Sequence, residues 1–304
     1  MEKIIIKHND SGQRLDKFLI KTFKNLPKSM MYKLIRKKRV KLNGKRSTGE
    51  VILNENDVLE LYINDELLQR KTDNSFNGAG DLEVVYEDDN IIVAKKPVGV
   101  LSHGDKSGDQ DHLVNRIKKY LFDRGEYNPS KENSFAPAIC SRLDRNTGGI
   151  VLAAKSASAL REANALIKER RIHKFYIAEV MGKLPVKKDV LKGSFVKDEK
   201  LNKMIYSDSD TAKAAVTAYE VLEENQGSSV LDIELITGRT HQIRAQFAHI
   251  GHPLVADKKY GGKSIGAGKY QALYAYKLVF DCKGSAVLGY LDGKIISVKP
   301  ELLG

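Results

Sequence analysis

Residues 138–156 read A-I-C-S-R-L-D-R-N-T-G-G-I-V-L-A-A-K-S, and the order of charge, glycine and apolar run in this stretch governs how the rest of the chain is read. Asp144 stands between Arg142 and Arg145, the pair Gly148-Gly149 follows, and Ile150 to Ala154 is unbroken apolar sequence. Cations within a few ångströms favour the charged form of a carboxylate. Glycines let backbone approach a ligand or a neighbouring strand closely, and a strand behind them anchors the loop to a rigid scaffold. The same residues also suit a surface turn, with Asp144 and Asn146 bonding to nearby backbone and the arginines solvated. The flanking sequence decides between the two.

The 304 residues suggest two domains at roughly 150 residues each, and a hydrophobic content of 41% is that of a globular protein. No apolar run reaches the roughly 18 residues that span a bilayer, and the start M-E-K-I-I-I-K lacks a secretory apolar region, so a cytoplasmic protein is expected. Two cysteines, Cys140 and Cys282, argue against a disulfide framework and against a Cys-ligated zinc site. Both are expected to be inert thiols, with Cys140 near enough to Asp144 to line the same cleft. Residues 1–46 hold 15 Lys and Arg against 3 acids, an excess of 12 that equals the net charge of the whole chain, +12. Positive charge gathered at one end is a footprint for a polyanion. A membrane surface is the weaker choice, because the helices there lack the aromatic face of an interfacial helix.

Within that basic region the spacing predicts a helix over Gln13 to Phe23, with Leu15, Phe18 and Leu19 on one face. A second helix is expected with Ser29 as cap and Met31, Leu34 and Ile35 as its stripe, ending in the cluster Arg36-Lys37-Lys38-Arg39. Val40-Lys41-Leu42 runs into Asn43-Gly44, a strong hairpin signal, and Val51 to Ile63 reads as strand broken by a turn at Asn54 to Asp57. From Asp65 to Gly80 the pattern dissolves into polar residues and reads as a linker.

Beyond it, Leu82 to Tyr86 and Ile91 to Lys95 are expected strands, with Lys96, Ser102 and His103 on the loop that Pro97 and Gly99 open. Helical spacing appears over Leu113 to Phe122 and Ser156 to Arg170. Lys174 to Val180 alternates as a strand with Tyr176, Ala178 and Val180 on one face. Further strands are expected at Val190 to Val196, Ala214 to Leu222 and Val230 to Ile236. Strands outnumber helices, so the reading is α+β: a largely antiparallel sheet with short helices covering one side, preceded by a small α/β domain.

A second charged cluster spans Thr237 to Arg244, T-G-R-T-H-Q-I-R. Thr240 can cap a helix with Ile243, Phe247 and Ile250 on its apolar face, and Gly251 and Pro253 end it. Backbone N–H groups and guanidinium groups at such a helix start suit phosphate. His241, His249 and His252 do not meet at one helical point and have no Cys or acidic partner at metal-ligand spacing, so no metal is expected.

In order and spacing, S-R-L-D-R-N-T-G-G-I-V-L-A-A-K, K-F-Y-I-A-E-V-M-G, L-I-T-G-R-T-H-Q-I-R-A-Q-F-A-H-I-G-H-P-L-V-A-D-K-K-Y-G and I-I-V-A-K-K-P-V-G-V-L-S-H resemble the motifs of the RluA-type pseudouridine synthases. The basic module resembles the small RNA-binding fold first known from ribosomal protein S-four, although Arg39 stands where glycine is common. The resemblance implies an isomerase that turns uridine into pseudouridine in RNA without cofactor or metal. It implies a pseudouridine synthase domain over 81–304, a linker over 65–80 and an RNA-binding domain over 1–64. It also implies the residue roles: Asp144 as the essential aspartate, Tyr176 as the aromatic that packs on the target base, and Arg244 as the partner of the aspartate. Arg142, Arg239 and His241 are implied near substrate RNA, with Arg36, Lys37, Lys38 and Arg39 as the basic ridge that holds its phosphates. The expected partner is structured RNA, large-subunit ribosomal RNA first and transfer RNA second, bound by a monomer. Ser141 replaces a frequent histidine, and Gly148-Gly149 a frequent Ser-Gly, which bears on RNA selection.

The chemistry needs one carboxylate beside the ribose, because the base is detached, turned and rejoined through a ring carbon with no net oxidation or hydrolysis. A noncatalytic RNA-binding or ribosome-assembly protein is the alternative. A carboxylate hydrolase would need a second acid near Asp144, and Asp257, the nearest in a motif, is expected to begin a turn.

Overall fold

The computed structural model describes residues 1–23, 25–70, 75–105, 108–265 and 268–301. Its first part is a four-stranded sheet backed by two helices: β1 (Glu2–Ile5), α1 (Leu15–Thr22), α2 (Lys28–Arg36), β2 (Val40–Leu42), β3 (Lys45–Arg46) and β4 (Val58–Leu61), with strand order β1-β4-β2-β3. Leu15, Phe18 and Leu19 of α1 are fully buried against Ile4, Met31 and Leu59, which is the expected stripe. Asn43 and Gly44 both have positive φ, 51° and 74°, as the hairpin turn requires.

Two local expectations differ. The second helix begins at Lys28 after Pro27, whose carbonyl accepts from the Met31 N–H at 2.9 Å, so Ser29 lies inside the first turn and is not the cap. Proline supplies the fixed φ of a helix entry. The expected strand from Val51 to Ile63 is regular only over β4, because the Leu15 N–H binds the Val51 carbonyl and the Leu53 N–H binds that of Gln13. Those residues pair with the entry to α1 and leave the ladder.

Residues 71–74 of the expected linker lie outside the described residues. On either side of them, Leu68 packs in the core of the first part and Phe76 packs beside Phe122 and Tyr127 in that of the second.

The second part continues with β5 (Glu83–Glu87), β6 (Ile91–Lys96), α3 (Leu113–Asp123), β7 (Ala138–Ile139), β8 (Gly148–Ala154), α4 (Ala157–Lys168) and β9 (Ile172–Met181). It then runs through β10 (Lys188–Asp198), β11 (Lys203–Tyr206), β12 (Lys213–Asn225), β13 (Ser228–Leu235), α5 (Gln242–His249), β14 (Leu273–Phe280) and β15 (Ile295–Ser297). Among the described residues its sheet has eleven strands in the order β11-β10-β12-β13-β9-β14-β8-β6-β5, with β7 on β8 and β15 on β14. Every pairing is antiparallel except β14 with β8.

The helices cover both faces of this sheet, not one. Ile92, Ala94, Val151 and Ala153 face Leu113, Ile117 and Phe247, whereas Ile91, Val93, Ile150 and Leu152 face Ala159, Ala163 and Leu166. Both alternating sets in β6 and β8 are apolar, so each face needs a cover. Asp144 sits in the loop that enters β8, where the helix-covered sheet meets the start of α5.

Candidate active site

The loop carrying Asp144 is fixed from three sides. Ser102 Oγ donates to the Leu143 carbonyl at 2.7 Å and accepts from the Leu143 N–H at 3.0 Å. Fully buried Lys96 donates from Nζ to the carbonyls of Arg145 at 3.0 Å, Val100 at 2.7 Å and Pro97 at 3.0 Å. Burial pulls Lys96 down to about 8, with Asp144 opposing the shift. Behind the loop, Gly149 has φ 119°, and a Cβ there would lie 2.1 Å from the Ala275 carbonyl oxygen of β14. The residues before and after Asp144 are therefore clamped, and only its side chain is free to project. Ser102 lies on the expected loop, while Lys96 ends β6 instead of lying on that loop, and together they do the clamping.

Arg244, 6% exposed, is the partner that α5 delivers. Its Nη1 donates to Asp144 Oδ2 at 2.7 Å, while Nε and Nη2 donate to both oxygens of Asp257 at 2.7 and 2.8 Å. Burial works against the guanidinium charge, yet the Asp257 hydrogen bonds and then Asp144 outweigh it and raise the Arg244 pKa above its ordinary value. Asp257 does begin a turn, capping the Tyr260 N–H, and at 1% exposure it also holds Arg244 from behind, which sequence reasoning missed.

The start of α5 departs from expectation. Its N-cap is His241 in the left-handed region, φ 50°, with no side-chain cap from Thr240. The loop is held by Gln242, whose Oε1 accepts from the Arg239 N–H and Thr237 Oγ1, and whose Nε2 donates to the Val216 carbonyl and Thr217 Oγ1. Ile243 and Phe247 are buried, but Ile250 is 39% exposed, so the apolar stripe ends one turn early. His241 turns inward, with Nε2 3.7 Å from Asp144 Oδ2.

Two cavities meet at Asp144. One, of about 650 Å³, is bordered by Cys140, Lys168, Arg170, Lys174, Tyr176 and Arg239. The other, of about 670 Å³, is bordered by Ser102, His103, Lys258, Lys259 and Lys269. Arg142, Asp144 and His241 belong to both. Tyr176, 6% exposed, is a member of the core that also forms a wall of the first cavity. Burial, then the Asp144 charge, raises its phenol pKa, so it remains protonated. Cys140 is a cleft residue as expected, and burial pushes its thiol up to about 12, which makes it inert. The lysines and arginines on the cavity rims were hidden in a charge count, because acids elsewhere balance them.

Arg142 and Arg239 are exposed, the latter with Nε bonded to the Ala214 carbonyl at 3.2 Å. Arg36, Lys37, Lys38 and Arg39 are exposed on the small sheet unit and are not among the residues lining either cavity. His249 stacks on Tyr206 and His252 Nδ1 contacts the Met181 carbonyl, so the three histidines point to different places. Among the described residues no group of three or more His, Cys, Asp or Glu could hold a metal ion. Likewise no described helix is long and apolar enough to cross a membrane.

A carboxylate held by an arginine between two cavities rich in basic side chains suits an enzyme that works on a polyanion. Comparison with known proteins gives the family. The chain belongs to the RNA pseudouridylate synthases, whose family description matches residues 90–249, and an S4 domain matches residues 13–59. It is 33% identical to a Mycoplasma capricolum protein called an uncharacterized RNA pseudouridine synthase, across 99% of this chain and 98% of that one. It is 31% identical to the ribosomal large subunit pseudouridine synthase C of Vibrio parahaemolyticus, across 86% of this chain and 81% of that one. The structure of human RNA pseudouridylate synthase domain containing 4 shares the fold, with a TM-score of 0.57 at 21% identity over 72% of this chain and 88% of that one. The activity is therefore isomerisation of uridine to pseudouridine in RNA.

Proposed function

We propose that Asp144 carries out this isomerisation on uridines of large-subunit ribosomal RNA. The observation that carries the reading is the 2.7 Å contact from Arg244 to Asp144 Oδ2 at the junction of the two basic cavities. Oδ1 is left for the ribose. The carboxylate serves either route open to the reaction: attack on the anomeric carbon, or removal of the neighbouring sugar proton. In both, the bond from ribose to uracil nitrogen breaks, the bond to the ring carbon forms, and that carbon gives its proton to solvent. Arg244 offsets the desolvation of the carboxylate when RNA closes the cleft.

The target base must leave its stack, which costs a few kcal/mol and least in a loop or bulge. Stacking on Tyr176 returns about 1–3 kcal/mol. Arg142 and Arg239 lie where flanking phosphates pass, and Arg36 to Arg39 hold RNA further from the site. We read residues 1–64 as the RNA-binding domain, 65–80 as the linker and 81–304 as the catalytic domain of a cytoplasmic monomer. The large-subunit assignment is supported by the names of relatives near 30% identity.

Asp144→Asn tests the reading. Ribosomal RNA carrying tritium on the reacting ring carbon of uridine releases it to water with the wild type, and no release above background is expected from the variant, with RNA affinity within about threefold of wild type. Full activity of the variant overturns the assignment of Asp144. Mapping pseudouridines in total RNA with and without the gene tests the substrate: loss from large-subunit RNA supports it, and loss from transfer RNA alone overturns it.

A further inference from the structure

Asp144 has a second polar neighbour that the pairing with Arg244 does not explain. His241 Nε2 faces Oδ2 at 3.7 Å, and its Nδ1 lies 3.1 Å from the Tyr260 hydroxyl. That hydroxyl oxygen already accepts the Met204 N–H at 2.9 Å. A backbone amide can only donate, so the phenol proton is free to be given to Nδ1. A neutral imidazole that accepts at Nδ1 carries its proton on Nε2. The opposite tautomer would set a lone pair against the carboxylate.

Resting on the reading that Asp144 reacts, we propose that Tyr260 and His241 are positioning residues: Met204 N–H fixes the Tyr260 hydroxyl, which fixes His241 as the Nε2–H tautomer aimed at Asp144 Oδ2. With Arg244 on the same oxygen, the carboxylate is held so that Oδ1 faces the ribose. The backbone of His241 agrees with such a role. Its φ of 50° is uncommon for a residue with a side chain, and strained residues of this kind gather at functional sites. Asp144, Arg244, Lys259 and Asp257 surround the ring together with Tyr260, and burial, opposed by Asp144 and assisted by Arg244, lowers the His241 pKa. The same surroundings favour the neutral ring that the tautomer argument requires. The chain of contacts starts on β11, so the outer hairpin of β10 and β11 supplies the amide that fixes the Tyr260 hydroxyl.

The test uses the full chain labelled with nitrogen-15 in histidine, with His241→Gln to assign the signal. Long-range nitrogen–proton correlation is expected to find His241 neutral with a bare Nδ1 and a protonated Nε2, and a mixture of tautomers in Tyr260→Phe. Gln places an amide near the Nε2 position, whereas Asn reaches only toward Nδ1. His241→Gln is expected to keep kcat within about threefold, and His241→Asn and Tyr260→Phe to lose about tenfold in kcat with little change in KM. An Nδ1–H tautomer in the wild type, or equal losses for Gln and Asn, overturns the proposal. The tautomer is read without substrate, so an inactive wild type would sink the role of Asp144 and leave the hydrogen-bond assignment standing.

Discussion

Arg244 bridges two acids of different standing. Asp257, 1% exposed, takes two of its donors and Asp144 the third. Asp257→Asn removes the charge that offsets a buried guanidinium, and breaking a buried pair from one side costs about 3–5 kcal/mol. The amide retains one acceptor, so the lower end, about 3 kcal/mol, is expected as a fall in the urea midpoint, with kcat reduced because Arg244 is no longer aimed. An unchanged midpoint would mean that the arginine is held by other groups. Asp144 was legible in the sequence from the arginines on either side of it, whereas its pairing with Arg244, 100 positions away, was implied by the family resemblance. The roles of Asp257, Lys96 and Ser102 were not legible. Their partners lie 13, 49 and 41 positions away, and nothing in a short motif records which carbonyl or guanidinium a side chain will meet.

At the scale of elements, the entry to β8 is the joint that presents Asp144, and its two glycines differ in kind. Gly149 has φ 119° and no room for a Cβ, because β14 runs parallel to β8 there with its Ala275 carbonyl 2.1 Å from the added atom. A Cβ on Gly148 would lie 3.0 Å from the Tyr274 ring and 3.1 Å from Val98, contacts that side chains can relieve by a small shift. Gly148→Ser, the residue frequent in resembling sequences, is thus expected to fold with a loss of about 1 kcal/mol. Gly149→Ala forces the strands apart and should lose at least about 3 kcal/mol or fail to accumulate as soluble protein. Urea titration of both variants checks the order, and a Gly149→Ala protein as stable as Gly148→Ser contradicts it. The helices and most strands were readable from alternation and helical spacing, but β1, β7, β11, β15 and the central β14 were not expected. Helix ends were not readable either: Thr240 and Ser29 look like caps, yet Gln242 and Pro27 take over through contacts with β12 and through a fixed φ.

Across the whole molecule, charge and docking act together. The ridge Arg36 to Arg39 is exposed on the small sheet unit, and removing one cation that neutralises a phosphate should reduce the slope of log affinity against log salt by about 0.7–0.9. Replacing all four by alanine should flatten that slope while leaving kcat at saturating RNA unchanged, as filter binding and tritium release would measure. The ridge can orient RNA over the cleft only if its unit is held in place. Fully buried Asp10 makes the seam, accepting from Asn133 Nδ2 and Ser134 Oγ, each at 2.7 Å, while Asn9 Oδ1 accepts the Ala157 N–H at the start of α4. Arg70, within the connecting segment, binds Glu2 of the first part and Asn133 of the second. Asp10→Ala removes the acceptor that two half-buried donors share, and Asn133 Nδ2 keeps only the longer contact to the Ile5 carbonyl at 3.4 Å, so a loss of about 1 kcal/mol is expected, most of it in the docking. Trypsin should then cut after Arg70 several-fold faster. KM should rise for large structured RNA while kcat on a short loop substrate stays at the wild-type value, because Asp144 and its clamps belong to the other unit. If KM rises equally for the short and the long RNA, the seam serves the catalytic unit directly and the orienting role of the small unit is wrong.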